Sequence, residues 1–352
     1  MLRTKQVRRH GTRMSTVDDS VKFLQETYGV PGESLRIYAR LWELESWLRE
    51  MVYVELKSAR GADWGAGLKS VEDKIKQDKR LIHMATAERG PLSYMTLGEL
   101  WEIMSGNWSL FEIYFPPKHL VEARITSELM QIRHRIAHCR TPHTDDLARV
   151  EQFAKDLDQS FWRFTTSYND EHHIIPADSD LVSGAFIEDD QYPWCNVGDN
   201  QWTRLGGKDL HARYTITVAW TIRPWVEKSL KAPIVPNPGV LYDVNLQALD
   251  GASLDYEQIL SKTKSFHDRC VHIILDSIGQ SLRLTFSSLQ PAQNIIEAVK
   301  VFRDVAYRVI RPATDDISIA NRIAARWPEY VIGPSNPLCF LCPDMPCKFF
   351  PA

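Results

Sequence analysis

Residues 127–140, SELMQIRHRIAHCR, bring together two side-chain types that can break a phosphodiester without a metal. Arg133 carries a permanent charge and can fork onto a phosphate. His134 and His138 carry imidazoles that titrate near neutral pH and can take or give a proton there. RNA cleavage by its own 2′-hydroxyl needs both services. A proton must leave the 2′-hydroxyl and another must reach the departing 5′-oxygen, while charge on the phosphorane is stabilised. His134 and His138 also have the helical H-x3-H spacing of zinc peptidases. Arg135, however, stands where those enzymes carry a general-base glutamate, and a cation there repels a metal.

The element that must position these groups is a helix predicted from Lys118, after Pro116-Pro117, to about Arg140. Its apolar stripe is Val121, Ile125, Leu129, Ile132 and Ile136. At roughly 100° per residue, Arg133 and His138 lie about 140° apart, on either side of the direction opposite that stripe. His134 and Ala137 fall between them, and the small Ala137 leaves room for approach. Arg135 points to another side.

Other helices must surround this one. Tyr38, Leu41, Leu44, Leu48, Met51 and Val52 form a helical stripe between Ser34 and about Ala59, with Gly61 as a stop. A second helix is predicted over Leu68 to about Glu88. A third opens at Thr96 with Glu99 as its capping-box partner and runs to Gly106. Thr144-Asp145-Asp146 open a last one, to about Thr166. The first half therefore reads as an all-α bundle of about five helices.

After Asp170 the pattern changes. Residues 171–210 read as a long irregular connection. Arg213–Arg223 and Val240–Ala248 read as strands, and Cys270–Asp276 with Ser281–Phe286 as a hairpin. Pro291 opens a helix to about Ile310, and a short one follows at about Ile317–Arg326. This half reads as a smaller α+β domain.

Arg133, His138 with four residues between them, and their helix resemble the R-x4–6-H motif of the HEPN superfamily. There a polar residue commonly follows the arginine, the position His134 holds. IRHRIAHCR is close to the family's IRNxIAH form, and RIYARLWELESWLREMV looks like the first helix of abortive-infection-type members. The resemblance covers residues 33–168. It implies an α-helical HEPN bundle that dimerises so that two motif helices face each other across a composite site. Active members are metal-independent endoribonucleases that leave a 2′,3′-cyclic phosphate, and they include toxins and phage-defence effectors. Carried over, the resemblance assigns Arg133 and His138 as the catalytic pair and His134 as their neighbour. It also implies RNA and a second copy as partners, with an antitoxin or sensor protein beside them. Other members are non-catalytic dimerisation or nucleotide-binding modules that scaffold larger complexes, which is the alternative expectation here.

The expected layout is a basic arm and lead-in over residues 1–32, the helical domain over 33–170, the α+β domain over 171–335 and a cysteine-containing tail over 336–352. The arm holds Arg3, Lys5, Arg8, Arg9 and Arg13 and no acid. With 42 Lys and Arg against 45 Asp and Glu in 352 residues, the chain is no globally basic nucleic-acid binder, so RNA must meet a local patch. Six cysteines are too few for a disulfide scaffold, and no apolar run suits a membrane span, so a cytoplasmic protein is expected. No cofactor is expected for catalysis. In the tail, Cys339, Cys342 and Cys347 are one ligand short of a closed structural zinc site, which Cys270, His267 or His272 would have to complete. Trp194, Trp202, Trp220 and Trp225 suit either base stacking or a core. The second half carries no nucleotide-binding or nucleophile motif that would seat an enzyme there.

Overall fold

The computed structural model describes residues 17–66, 68–83, 91–169, 176, 179–198, 201–204, 206–209, 211–226, 235–312 and 318–350. The basic arm, residues 1–16, lies outside them, as does the end predicted for the second helix.

A helical region comes first. It holds α1 (Val17–Tyr28), α2 (Gly32–Arg60), α3 (Lys69–Asp78) and α4 (Leu97–Gly106). Next come α5 (Lys118–Arg124), a π-helical turn (Ile125–Leu129) and α6 (Met130–Ala137), which follow one another without a break. The region ends with α7 (Asp146–Asp156) and α8 (Asp158–Ser167). Helix α1 forms inside the stretch read as the arm and lead-in, for which no helix was predicted. The last predicted helix is two, broken at Leu157. The capping box of α4 forms as expected: the Glu99 amide donates to Thr96 Oγ1, and Glu99 Oε2 accepts from the Thr96 amide at 2.8 Å.

Helix α2 is the axis of this region. Ile37, Leu41, Leu44, Leu48, Met51 and Val52 are buried along it. Tyr38, expected in that stripe, is exposed, and Ile37 takes the core position instead.

An α+β region follows. Short α9 (Leu181–Gly184) and a hairpin of β1 (Trp194–Gly198) and β2 (Gln201–Arg204) lie in the stretch expected to be irregular. The main sheet contains β3 (Tyr214–Ile222) and β4 (Val240–Ala248). Next in the chain are β5 (Ala252–Leu254), outside that sheet, and α10 (Tyr256–Thr263). Then come β6 (His272–Leu275), β7 (Ser281–Ser287), α11 (Ala292–Val309), β8 (Ile310–Pro312), α12 (Ser318–Ala324), β9 (Val331–Ile332) and α13 (Pro337–Phe340). Strand order is β3-β4-β7-β6-β9, antiparallel except for the β6–β9 pair, while β5 pairs with β8.

Both faces of the sheet are covered. On one, Val240, Tyr242, Val244 and Leu246 join Leu282, Leu284 and Phe286 and pack against α10, α11 and α12. On the other, Leu241, Val271, Ile274 and Ile332 enter the same core as α2, α4, α7 and α8. The tail returns to the helical region, where Phe349 stacks on Phe161 at 5.8 Å and meets Trp47 edge-on at 4.7 Å.

Candidate functional site

The rod of α5 and α6 places the motif. Its apolar steps from Val121 to Ile125 to Leu129 are four and four. In a regular α-helix they would drift about 80° around the axis. The π-helical turn absorbs the drift with its wider winding, so Val121, Ile125, Leu129 and Ile132 all remain buried. Thr126 and Ser127 help by bonding back to the carbonyls of Glu122 and Ala123.

The helix ends earlier than expected, at Ala137. His138 is its cap residue (φ −97°, ψ 20°) and Cys139 adopts φ +54°. The Cys139 amide donates to the Ile136 carbonyl at 3.1 Å and the Arg140 amide to the Arg135 carbonyl at 3.0 Å. This is the paired closure that normally uses glycine at the left-handed position. It fixes the backbone on which His138 sits.

Arg133 is held from behind. Its Nε donates to Glu45 Oε1 at 2.7 Å, across 88 residues of sequence. Glu45, only 7% exposed, also accepts from Arg49 through Oε2 at 2.8 Å. Arg49 in turn donates to the carbonyls of Leu92 and Met95. The terminal nitrogens of Arg133 make no hydrogen bond among the described residues, and about a third of the side chain is exposed. The guanidinium is therefore oriented through its Nε edge, and its terminal nitrogens remain uncommitted among the described residues.

His134, Ala137 and His138 are exposed, as the helix geometry predicted, and the two imidazoles lie in edge contact with centroids 4.3 Å apart. The structure brings Arg133, His134 and His138 onto one end of one helix. Arg135 is separate: it binds Asp146 through Nε at 3.0 Å and through a second nitrogen, tying α6 to the start of α7. Glu45 and Arg49 did not emerge from the sequence reading. Their signal was present: Glu45 interrupts an apolar stripe that runs Leu41, Leu44, Leu48, and Arg49 follows one turn later.

The cysteines of the tail do not gather into the zinc cluster that their spacing left open. Among the described residues, no group of three or more His, Cys, Asp or Glu side chains is placed to hold a metal. The Cys339 thiol donates to the Gly333 carbonyl at 3.0 Å, and burial pushes its pKa up to about 12. The three side chains expected to complete the site are used elsewhere. Cys270 is buried, with its pKa also raised to about 12 by burial. His267 meets Thr263 Oγ1 at 3.2 Å, and His272 meets the Tyr168 hydroxyl at 2.9 Å. Of the tryptophans weighed for stacking, Trp220 is core, Trp225 donates to Glu55 at 2.7 Å, and Trp194 lies under the Arg204 guanidinium at 4.4 Å. No helix among the described residues is long and apolar enough to cross a membrane. Comparison with protein families, with curated proteins and with solved structures finds no match to this chain.

Proposed function

We propose that this protein is a metal-independent endoribonuclease of HEPN type, acting as a dimer whose α6 helices face each other. The observation that carries the reading is an arginine oriented by a buried carboxylate beside two exposed, touching imidazoles on one helix end. His138 moves the proton from the 2′-hydroxyl or to the leaving 5′-oxygen, and Arg133 stabilises the phosphorane charge. His134 orients or assists its neighbour. The 2′-oxygen bonds to phosphorus as the 5′-oxygen leaves with a proton, giving a 2′,3′-cyclic phosphate and a 5′-hydroxyl. Two such faces make the complete site, with Ala137 in the seam. The family resemblance adds a toxin or phage-defence role, a neutralising or sensing partner and a cytoplasmic setting.

The test is cleavage of total RNA by the purified full-length chain. Arg133→Ala should cost about 10²–10³-fold, and His138→Ala about 10²–10⁴-fold. His138→Ala, at an exposed position, should leave the melting temperature nearly unchanged, whereas Arg133→Ala should lower it somewhat, because the buried Glu45 carboxylate keeps only Arg49 as its partner. Cleavage should persist in EDTA and fail on a 2′-deoxy substrate. Ala137→Glu should yield an inactive monomer by light scattering, because it places an unpaired carboxylate in the seam. Cleavage that survives loss of both Arg133 and His138 sinks the assignment. One observation favours the scaffold reading: the Glu45 carboxylate offsets part of the Arg133 charge. A dimer that cuts no RNA would establish that reading instead.

A further inference from the structure

Resting on the ribonuclease reading, we infer that Tyr38 and Trp42 of α2 form a base-stacking platform for single-stranded RNA beside the Glu45–Arg133 pair. On α2, Tyr38, Trp42, Glu45 and Arg49 fall within roughly 60° of one another around the axis. Glu45 is the residue that holds Arg133, so the two aromatic rings continue outward from the guanidinium along one helix face. Trp42 is one turn from Glu45, an axial rise of about 4.5 Å, and Tyr38 about 10 Å.

Both rings are open: Tyr38 is 59% and Trp42 62% exposed. Neither makes a ring contact, a cation contact or a side-chain hydrogen bond among the described residues, whereas Trp47, Trp101 and Trp108 each pack against another aromatic ring. Arg49, the cation on this face, is committed to Glu45 and to the carbonyls of Leu92 and Met95, and Arg36 and Arg40 lie on the opposite side of α2, paired with Glu151 at 3.1 Å and Glu43 at 2.9 Å. At the motif end, the terminal nitrogens of Arg133 and the exposed Arg140 make no ion pair among the described residues beyond the Arg133 Nε bond to Glu45. A strand whose phosphate meets Arg133 therefore finds π-faces next to it rather than further charge.

The two rings are too small to form a separate interface with a second copy, which could cover them only as an extension of the α6 seam. The two rings expose roughly 250 Å² between them, against about 800 Å² per partner in a stable interface. Stacking tolerates any base but needs it unpaired. The substrate class is accordingly unpaired RNA with little sequence preference at the stacked positions.

The test uses full-length protein in a His138→Ala background, which halts cleavage, and fluorescence anisotropy with labelled probes. The probes are a single-stranded oligouridylate, an abasic strand of equal length and an RNA duplex. Adding Trp42→Ala should weaken oligouridylate binding roughly 5- to 150-fold. Trp42→Phe should retain most of the affinity. Binding of the abasic strand and of the duplex should not respond to either change. Equal affinity with and without Trp42, no binding of the oligouridylate at all, or an equal loss on the abasic strand overturns the platform. So does a dimer that becomes monomeric by light scattering in both Trp42 variants, which would assign the face to a second copy. Cleavage by the unmodified chain is scored separately. RNA cut without a Trp42 effect on binding removes the platform and leaves the nuclease, whereas a Trp42 effect without cleavage does the reverse.

Discussion

Cys139 holds a backbone conformation that side chains with a β-carbon adopt at a cost of about 1–2 kcal/mol, directly after the proposed general acid-base residue. Cys139→Gly should relieve that cost, offset in part by the extra freedom glycine gives the unfolded chain. The expected gain is about 0.5–1 kcal/mol, seen as a melting temperature about 1 °C higher in a chain of 352 residues. Cys139→Val should lower the melting temperature, because a branched side chain fits this conformation worst. Cleavage by the glycine variant should match the parent, since the backbone under His138 keeps its closing hydrogen bonds. At this scale the shared placement of Arg133, His134 and His138 at one helix end was legible, because residue type and helical phase are local properties. Glu45 was not, because nothing near Arg133 in the sequence names the partner 88 residues away.

The interrupted rod of α5 and α6 shows where helical pattern stops being sufficient. Steps of four, four, three and four were read as one regular helix, yet two successive fours are the trace of a π-helical turn. Strands β3, β4 and β7 were legible from their branched and aromatic residues. The two-residue β9 carries no periodicity, and α10 was missed although Asp255 caps it by accepting from the Gln258 amide. The short helical segment after α10 (Lys264–Arg269) carries His267, stacked near Phe302 and 2% exposed. Burial lowers its pKa from 6.5 to about 4. The unfolded chain takes this proton first, so His267 should make the fold less stable as pH falls from about 6.5 to about 4. The ceiling of that loss is about 3 kcal/mol. Urea unfolding midpoints at stepped pH should show the slope, and His267→Phe should flatten it.

At the scale of the molecule, the alternation in β3 and β4 misleads in an instructive way. Polar residues at every second position suggest a face turned to water, but Thr215, Thr221 and Asp243 on that face are buried, and only toward Asn245 and Gln247 does it open. Asp243 accepts there from Thr221 and from Thr285, the latter at 2.7 Å, and Arg283 donates to Asn169 at 2.8 Å. At the centre, fully buried Arg223 binds fully buried Glu55, which also accepts from Tyr114 at 2.8 Å and Trp225 at 2.7 Å. Arg223→Leu should cost about 3–5 kcal/mol by stranding the Glu55 carboxylate, whereas changing both residues to leucine should recover most of it. Chemical denaturation of the two variants checks the pair. Lys57, its pKa lowered to about 8 by burial, caps the carbonyls of Asp268 and Cys270 from the same helix. Glu45, Glu55 and Lys57 thus ride on one unbroken α2, with about 18 Å from the first to the last. The two regions share a shaft and have no hinge along it. Whatever displaces the sheet turns or slides that shaft, and the far end of the motion is the carboxylate that aims Arg133.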